Sequence, residues 1–417
     1  MSHRHLTPDG LPSDGIQVAE APAGILRPAV RASNQVLPVE LFFDLVYVLA
    51  ITQLTRHLLE HLTLRGAGET LVLFLAVWLG WIQVTWITNY FDLHARAVRL
   101  VLIGLGLASL IMSASLLESF NGRGVAFGCG FAAVLTGGAA FGLAAVGRRH
   151  HVGMALERVL IWTSATGLLF VAGGFAGGDA RILIWLGTIV GTYFVIWLGF
   201  PLPVLGHSHT TDYTISGEHL AERCLLFVTI ALGESIVITG SNFGELPAST
   251  ERWVAFVVAF IGSAAIWWIY FDRGADAARE VISGAEDPGR VGLIGYAYCH
   301  IPIVFGIIVA AAGDEIAIAH PGNDVTTAEA ALILGGPALY LLGHNLFKLA
   351  IWGHLSPSRL AGLCALGALA PLAMVSSALL LIAAATLVLV GVVAFDLVIE
   401  RRRLVAESQA VAAAVEA

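Results

Sequence analysis

The sequence predicts an all-α, polytopic integral membrane protein, with about twelve transmembrane helices built as two parallel six-helix repeats. Three observations predict it. First, 57% of the 417 residues are hydrophobic and only 12% are charged, against about 25% charged in soluble proteins. Such a chain has too few charges to cover a water-facing surface, and its mean hydropathy of +0.82 agrees. Second, a helix needs about 20 apolar residues to cross the hydrocarbon layer, and twelve runs approach that length. Third, the two halves of the chain repeat a pattern of acids and aromatics.

Taken in order, the first six runs centre on residues 37–56, 69–91, 97–118, 124–146, 157–177 and 181–204. The second six centre on 220–240, 253–271, 290–312, 328–351, 359–376 and 378–398. Only Ser376-Ser377 divides the last two, and Pro371 offers the alternative of one bent segment. The positive-inside rule favours the separate pair. With twelve helices and a cytoplasmic N-terminus, 17 of the 22 basic residues fall on or beside the cytoplasmic side: Arg4, Arg27, Arg31, Arg96, Arg99, Arg148, Arg149, Arg158, Arg223, Arg273, Arg279, Arg290, Lys348, Arg359 and Arg401 to Arg403. Eleven helices would strand the Arg401–Arg403 run outside. The expected location is a bacterial inner membrane with both termini cytoplasmic. Residues 1–35 read as a disordered polar tail with no cleavable signal, 36–204 as the first repeat, 205–217 as a linker, 218–398 as the second repeat and 399–417 as a cytoplasmic tail.

The case for duplication rests on matched landmarks. Glu40 and Glu222 lie near the starts of the first and seventh helices. The second and eighth helices end in Trp86-Ile-Thr-Asn-Tyr-Phe-Asp92 and Trp267-Trp-Ile-Tyr-Phe-Asp272. Acid to acid spans 52 residues in one half and 50 in the other. An even number of helices per unit makes the repeats parallel.

Ionisable groups inside apolar helices are costly, roughly 2.5–3.5 kcal/mol each, and are the first candidates for function. Glu40 and Asp44 share one face of the first helix, about 6 Å apart along its axis. Two such carboxylates repel unless a cation, a proton or an Arg lies between them. A cation or proton site and simple pairing with Arg residues of neighbouring helices are both open. The seventh helix carries Glu222-Arg223 and then Gly233-Glu234-Ser235, with Glu234 about 18 Å along the axis from Glu222. Glu234 is the deepest acid and the leading candidate for a working residue, with Gly233 expected to allow close backbone approach beside it. His300, two residues before Pro302, and His344-Asn345 with Lys348 complete the candidate set.

Other classes find little support. Net charge is −8, with no dense basic patch for nucleic acid. There is no phosphate-binding Gly-rich loop with a Lys-Ser/Thr end, and no Thr-Val-Gly-Tyr-Gly filter. His57-Leu-Leu-Glu60-His61 matches an inverted zinc-peptidase pattern, but it sits at a helix end without an acidic third ligand. No cofactor, metal or catalytic residue is therefore assigned. Cys129, Cys224, Cys299 and Cys364 are scattered through apolar runs and read as small core residues.

These motifs resemble a known family. Glu40-Leu-Phe-Phe-Asp44-Leu-Val-Tyr-Val-Leu-Ala with Gln53-Leu54, and His219-x-x-Glu222-Arg223 followed by Leu232-Gly233-Glu234-Ser235, are similar to the two signatures of the bacterial low temperature requirement A (LtrA) family. Tyr298-x-His300-x-Pro302 and Gly343-His344 fit its pattern too. The resemblance runs from residue 31 to about 400. It implies a multi-pass membrane protein with a part in growth in the cold, and brings no settled activity and no catalytic residues. The functional expectation is thus a secondary transporter or ion-conducting protein using intramembrane carboxylates. The alternatives are a membrane-embedded enzyme acting on lipid or an isoprenoid, and a sensor or assembly partner. Expected partners are membrane lipids and an unknown ion or small-molecule substrate, with a homo-oligomer left open.

Overall fold

The computed structural model describes residues 36–416 apart from 213, 214, 246, 248 and 273. The expected N-terminal tail, with Arg4, Arg27 and Arg31, lies outside the described residues, as does Arg273. All regular structure is helical: α1 Pro38–Glu60, α2 Leu64–Thr88, α3 Arg96–Ala114, α4 Gly124–Val146, α5 His151–Phe175, α6 Gly178–Trp197, α7 Gly217–Glu245, α8 Thr250–Phe271, α9 Gly274–Gly284, α10 Pro288–Val291, α11 His300–Ala319, α12 Thr327–Trp352, α13 Pro357–Ala368 and α14 Ala378–Glu416. Among the described residues, twelve segments are long and apolar enough to cross a membrane. They follow the twelve runs of the sequence in order.

Local chemistry explains the boundaries. Pro38 takes the first position of α1, where its missing N–H costs nothing. Ser249 caps α8 by accepting from the Arg252 N–H, and Thr326 with Glu329 forms a reciprocal capping box on α12. The eleventh and twelfth runs are separate helices. α13 stops at Ala368, a 3₁₀ turn spans Leu372–Met374 immediately after Pro371, and α14 begins at Ala378.

The ninth span departs most from a simple helix. It starts at α10, passes through a π-helical stretch Gly292–Tyr298, and continues as α11. Pro302 has no N–H, so the carbonyl four residues back, on Tyr298, loses its helical donor. Neighbouring side chains take up other carbonyls of this stretch. Trp78 Nε1 donates to Ala297 O at 2.8 Å, and His300 Nδ1 donates to Gly295 O at 3.0 Å. The short amphipathic α9, between the eighth and ninth spans, has no counterpart among the apolar runs.

Packing follows small residues. In one half α4 lies on α5, and in the other α11 lies on α12, each through glycines that bring backbones close. A Cβ added at Gly306 would sit 2.8 Å from Tyr340 Cα, and one at Gly128 would sit 2.8 Å from Phe170 O. Gly233 behaves differently from expectation. It faces outward, and a Cβ there would meet nothing within 4 Å. Gly306→Leu should therefore lower stability by about 1–3 kcal/mol or more through overpacking, while Gly233→Ala should leave the thermal midpoint in detergent unchanged or slightly raised. A matching loss in both variants would contradict this assignment of the packed faces.

One further expectation needs correcting. Cys224 and Cys299 are buried, but Cys129 and Cys364 are on the outer face. Among the basic residues, Arg181 is buried, and its guanidinium donates to Ser119 O at 2.6 Å, Gly174 O at 3.0 Å and Asn121 O at 3.1 Å. Loop carbonyls that would otherwise lack donors are satisfied by it.

Candidate functional site: a buried charge network between the first and seventh helices

α1 and α7 run side by side in the same direction. Residues 40 and 44 of α1 face residues 219 and 223 of α7, so two i, i+4 pairs interlock across the seam. Arg223 Nη1 donates to Glu40 Oε1 at 2.6 Å, and Nη2 donates to Asp44 Oδ1 at 2.6 Å. His219 Nε2 lies 3.1 Å from the Glu40 carboxylate, which also accepts the Leu37 N–H at 3.0 Å. From α2, Trp81 Nε1 donates to Asp44 Oδ1 at 2.8 Å, and its ring lies 5.7 Å below the Arg223 guanidinium. Glu40, Asp44, His219 and Arg223 are all at 0% exposure.

Arg223 therefore sits between the two carboxylates of α1. The network also carries strain in its hydrogen bonding. Asp44 Oδ2, Arg223 Nε and His219 Nδ1 are buried with no hydrogen-bond partner among the described residues, where most buried polar groups of native proteins have one. Two carboxylates are set against one guanidinium. One more positive charge, a proton on His219 or on a carboxylate, or a monovalent cation, completes neutrality.

Glu234 occupies a second position on the same seam. It is 6% exposed, and Thr52 of α1 donates a short hydrogen bond to its Oε1. Next to Thr52, Gln53 Oε1 is buried without a partner. Eleven residues separate Arg223 from Glu234, about 16 Å along α7. Asp44 and Glu234 therefore belong to two separate polar stations on one interface. Ser235 is buried beside Glu234. Glu222 is half-buried and outside the Arg223 network.

His300 and His344 gather elsewhere, among α8, α11 and α12. His300 is bonded at both ring nitrogens, by Gly295 O and by the Tyr270 hydroxyl at 2.7 Å. The Tyr O–H donates to Nε2 when Nδ1–H donates to the carbonyl, which fixes the neutral tautomer. His344 is buried with Nδ1 unpartnered, its ring 6.2 Å from Tyr340. Asn345 Oδ1 accepts the Ser356 N–H at 2.7 Å and secures the start of α13. His57 packs its ring on His61, 4.6 Å between centroids, and bonds Thr70 Oγ1 at 3.0 Å.

Several residues of these stations escape sequence reading. Trp81 and Thr52 carry no charge, and nothing in their local sequence marks them as partners of buried acids. Asp396 pairs with Arg359 across α13 and α14, and Ser358 Oγ donates to it at 2.6 Å. The signal for Asp396 is the same as for Glu234, an acid inside an apolar run.

A sequence model described as bacterial low temperature requirement A protein (LtrA) matches residues 35–394. The chain belongs to the LtrA family. An uncharacterized protein of Rhizobium meliloti (strain 1021) is 34% identical to this LtrA-family chain over 306 residues, covering 73% of this chain and 75% of its own length. No solved structure matches it. As a member of a bacterial family with twelve candidate spans, it is a multi-pass membrane protein. Glu40, Asp44, Glu222, Arg223, Glu234, Ser235, His300, His344 and Asn345 all lie within the family match.

Proposed function

We propose that this LtrA-family protein is a secondary transporter or ion-conducting protein of the bacterial inner membrane. In this reading it exchanges one proton or monovalent cation at the α1–α7 seam. The observation that carries the reading is the charge count of the buried network: Glu40 and Asp44 against one permanent cation, Arg223, with the protonatable His219 beside Glu40, all fully enclosed. An unbalanced charge in low dielectric is costly, so the network favours taking up one cation. Exchange of that cation then reweights the contacts holding α1 to α7. Asp44 Oδ2, a buried acceptor without a donor, is the natural landing point. Glu234 with Thr52 supplies a second carboxylate along the same seam. His219, with its Nε2 3.1 Å from the Glu40 carboxylate, adds a protonatable group to the same cluster.

The same reading takes the chain as two parallel six-helix units with both termini cytoplasmic. Its support is the matching of neighbours. α1 packs on α2 and α3 as α7 packs on α8 and α11, and α3–α4, α4–α5 and α5–α6 correspond to α11–α12, α12–α13 and α13–α14. The seam is then the meeting of the two lead helices, where alternating-access transporters place their sites. A role in low-temperature growth, which the family name carries, is consistent with membrane transport.

The test is ion flux into liposomes bearing purified protein, with imposed proton, sodium or potassium gradients. Wild type should carry flux, and Asp44→Asn and Glu234→Gln should each reduce it at least tenfold while remaining folded. Full flux in both variants, or none in wild type under any gradient, would overturn the proposal.

A further inference from the structure

A cavity with a buried amide on its wall lies away from the charge network. A cavity of ≈420 Å³ opens between α2, α5, α6 and the π-helical stretch, bounded at its mouth by residues 199–210. That volume falls within the range of small-molecule sites. Its walls are apolar and unusually aromatic, with Trp86, Tyr90, Tyr193, Trp197, Phe200 and Tyr298 all contributing. Among the described residues, no Asp, Glu, Lys or Arg lines it.

Gln83 is the exception on this wall. It lines the cavity from near the C-terminal end of α2, is only 9% exposed, and has no hydrogen-bond partner among the described residues. A ligand carbonyl or hydroxyl in the cavity would give this amide its missing partner. The mouth carries His207 and His209, whose rings lie 4.5 Å apart, and the loop that holds them is tied down. Arg158 donates to Leu205 O at 2.9 Å and Ser208 Oγ at 2.7 Å, and Trp162 Nε1 donates to Pro201 O at 3.0 Å. Tyr193 and Tyr298 are fixed too, their hydroxyls donating to Leu75 O at 3.0 Å and Tyr193 O at 2.6 Å. The walls are therefore held in place before any ligand arrives. On the outer side Trp197 and Leu198 are 58% and 45% exposed, which places the rim against the apolar surroundings of α6.

We propose that this cavity binds an uncharged lipid with a flat, carbonyl-bearing ring head, the quinone class, entering from the membrane beside Trp197. The aromatic walls favour a flat ring by stacking. The Gln83 amide donates to a ring carbonyl, and the absence of lining charges selects against anionic headgroups. The apolar tail remains at the α6 rim.

The experiment is a calorimetric titration of the full chain in nanodiscs with decylubiquinone. Dioctanoylglycerol and phosphatidylglycerol serve as competitors, and the thermal midpoint is followed alongside. Expected are saturable one-to-one binding, a raised midpoint, at least tenfold weaker binding by Gln83→Leu, and no displacement by either competitor. Val159→Trp, which fills the cavity wall, should abolish binding. If Val159→Trp fails to fold, Gln83→Leu alone decides. Absence of saturable binding, unchanged affinity in Gln83→Leu, or equal binding of the glycerolipid would each overturn the proposal, and displacement by phosphatidylglycerol would overturn its neutral-headgroup selectivity.

Discussion

Replacing Arg223 by Met should all but abolish the folded protein. The substitution leaves Glu40 and Asp44 facing each other without a cation, both at 0% exposure. Breaking a buried pair by removing one partner costs roughly 3–5 kcal/mol, a large share of the 5–15 kcal/mol that holds a typical domain. Here one guanidinium serves two carboxylates, so the cost belongs at the upper end. Replacing all three charges together should behave differently. A Glu40→Met, Asp44→Leu, Arg223→Met combination leaves no uncompensated charge, and well-packed apolar groups replace buried ion networks at little cost or with a gain. The expected result is loss of the monodisperse peak in detergent for the single variant and its recovery for the triple. A single variant as stable as wild type would mean that the carboxylates are neutral without Arg223, and the charge count proposed for the seam would be wrong.

The second large effect separates stability from activity. Glu40→Gln leaves one carboxylate, Asp44, against one guanidinium. Gln keeps an oxygen to accept from Arg223 Nη1 and changes side-chain volume little. The network is then neutral without an added proton or cation. Thermal stability should stay equal or rise, because a costly imbalance has been removed. Exchange should fall at least tenfold, because nothing remains for a mobile cation to neutralise. Loss of function with retained or improved stability marks a site kept for use at the expense of the fold. A purely structural network would respond in the opposite sense, with a weaker fold and no separate effect on flux.

How much of this was legible in the sequence depends on the range of the interaction. Apolar run length is local, so the twelve spans could be read in order. The separation of the last two spans was read from the distribution of basic residues, since Pro371 by itself fitted a bent single helix as well as a break. The ninth span was read in the right place, but its π-helical stretch was not, because Trp78, which takes up the Ala297 carbonyl there, comes from another helix. Glu40, Asp44, Arg223 and Glu234 were each visible as charges inside apolar runs. Their grouping was not: Asp44 and Arg223 lie 179 positions apart in the chain. The sequence left open whether an Arg or a mobile cation lay between Glu40 and Asp44, and the fold brings Arg223 there. It also separates Asp44 from Glu234, since one faces Arg223 and the other Thr52. Gln83 was invisible because a single amide in an apolar run costs little on any scale, and only the cavity beside it gives it meaning. The short α9 was missed because its apolar residues are too few to register as a span.

The claim on which the functional account stands is that the α1–α7 network holds one exchangeable positive charge. The most direct measurement compares wild type with Glu40→Gln, both verified as folded by the same thermal scan, in liposomes loaded with a pH-sensitive dye and exposed in turn to proton, sodium and potassium gradients. The account predicts flux in wild type and its loss in Glu40→Gln at equal or higher stability. Equal flux in the two proteins would contradict it.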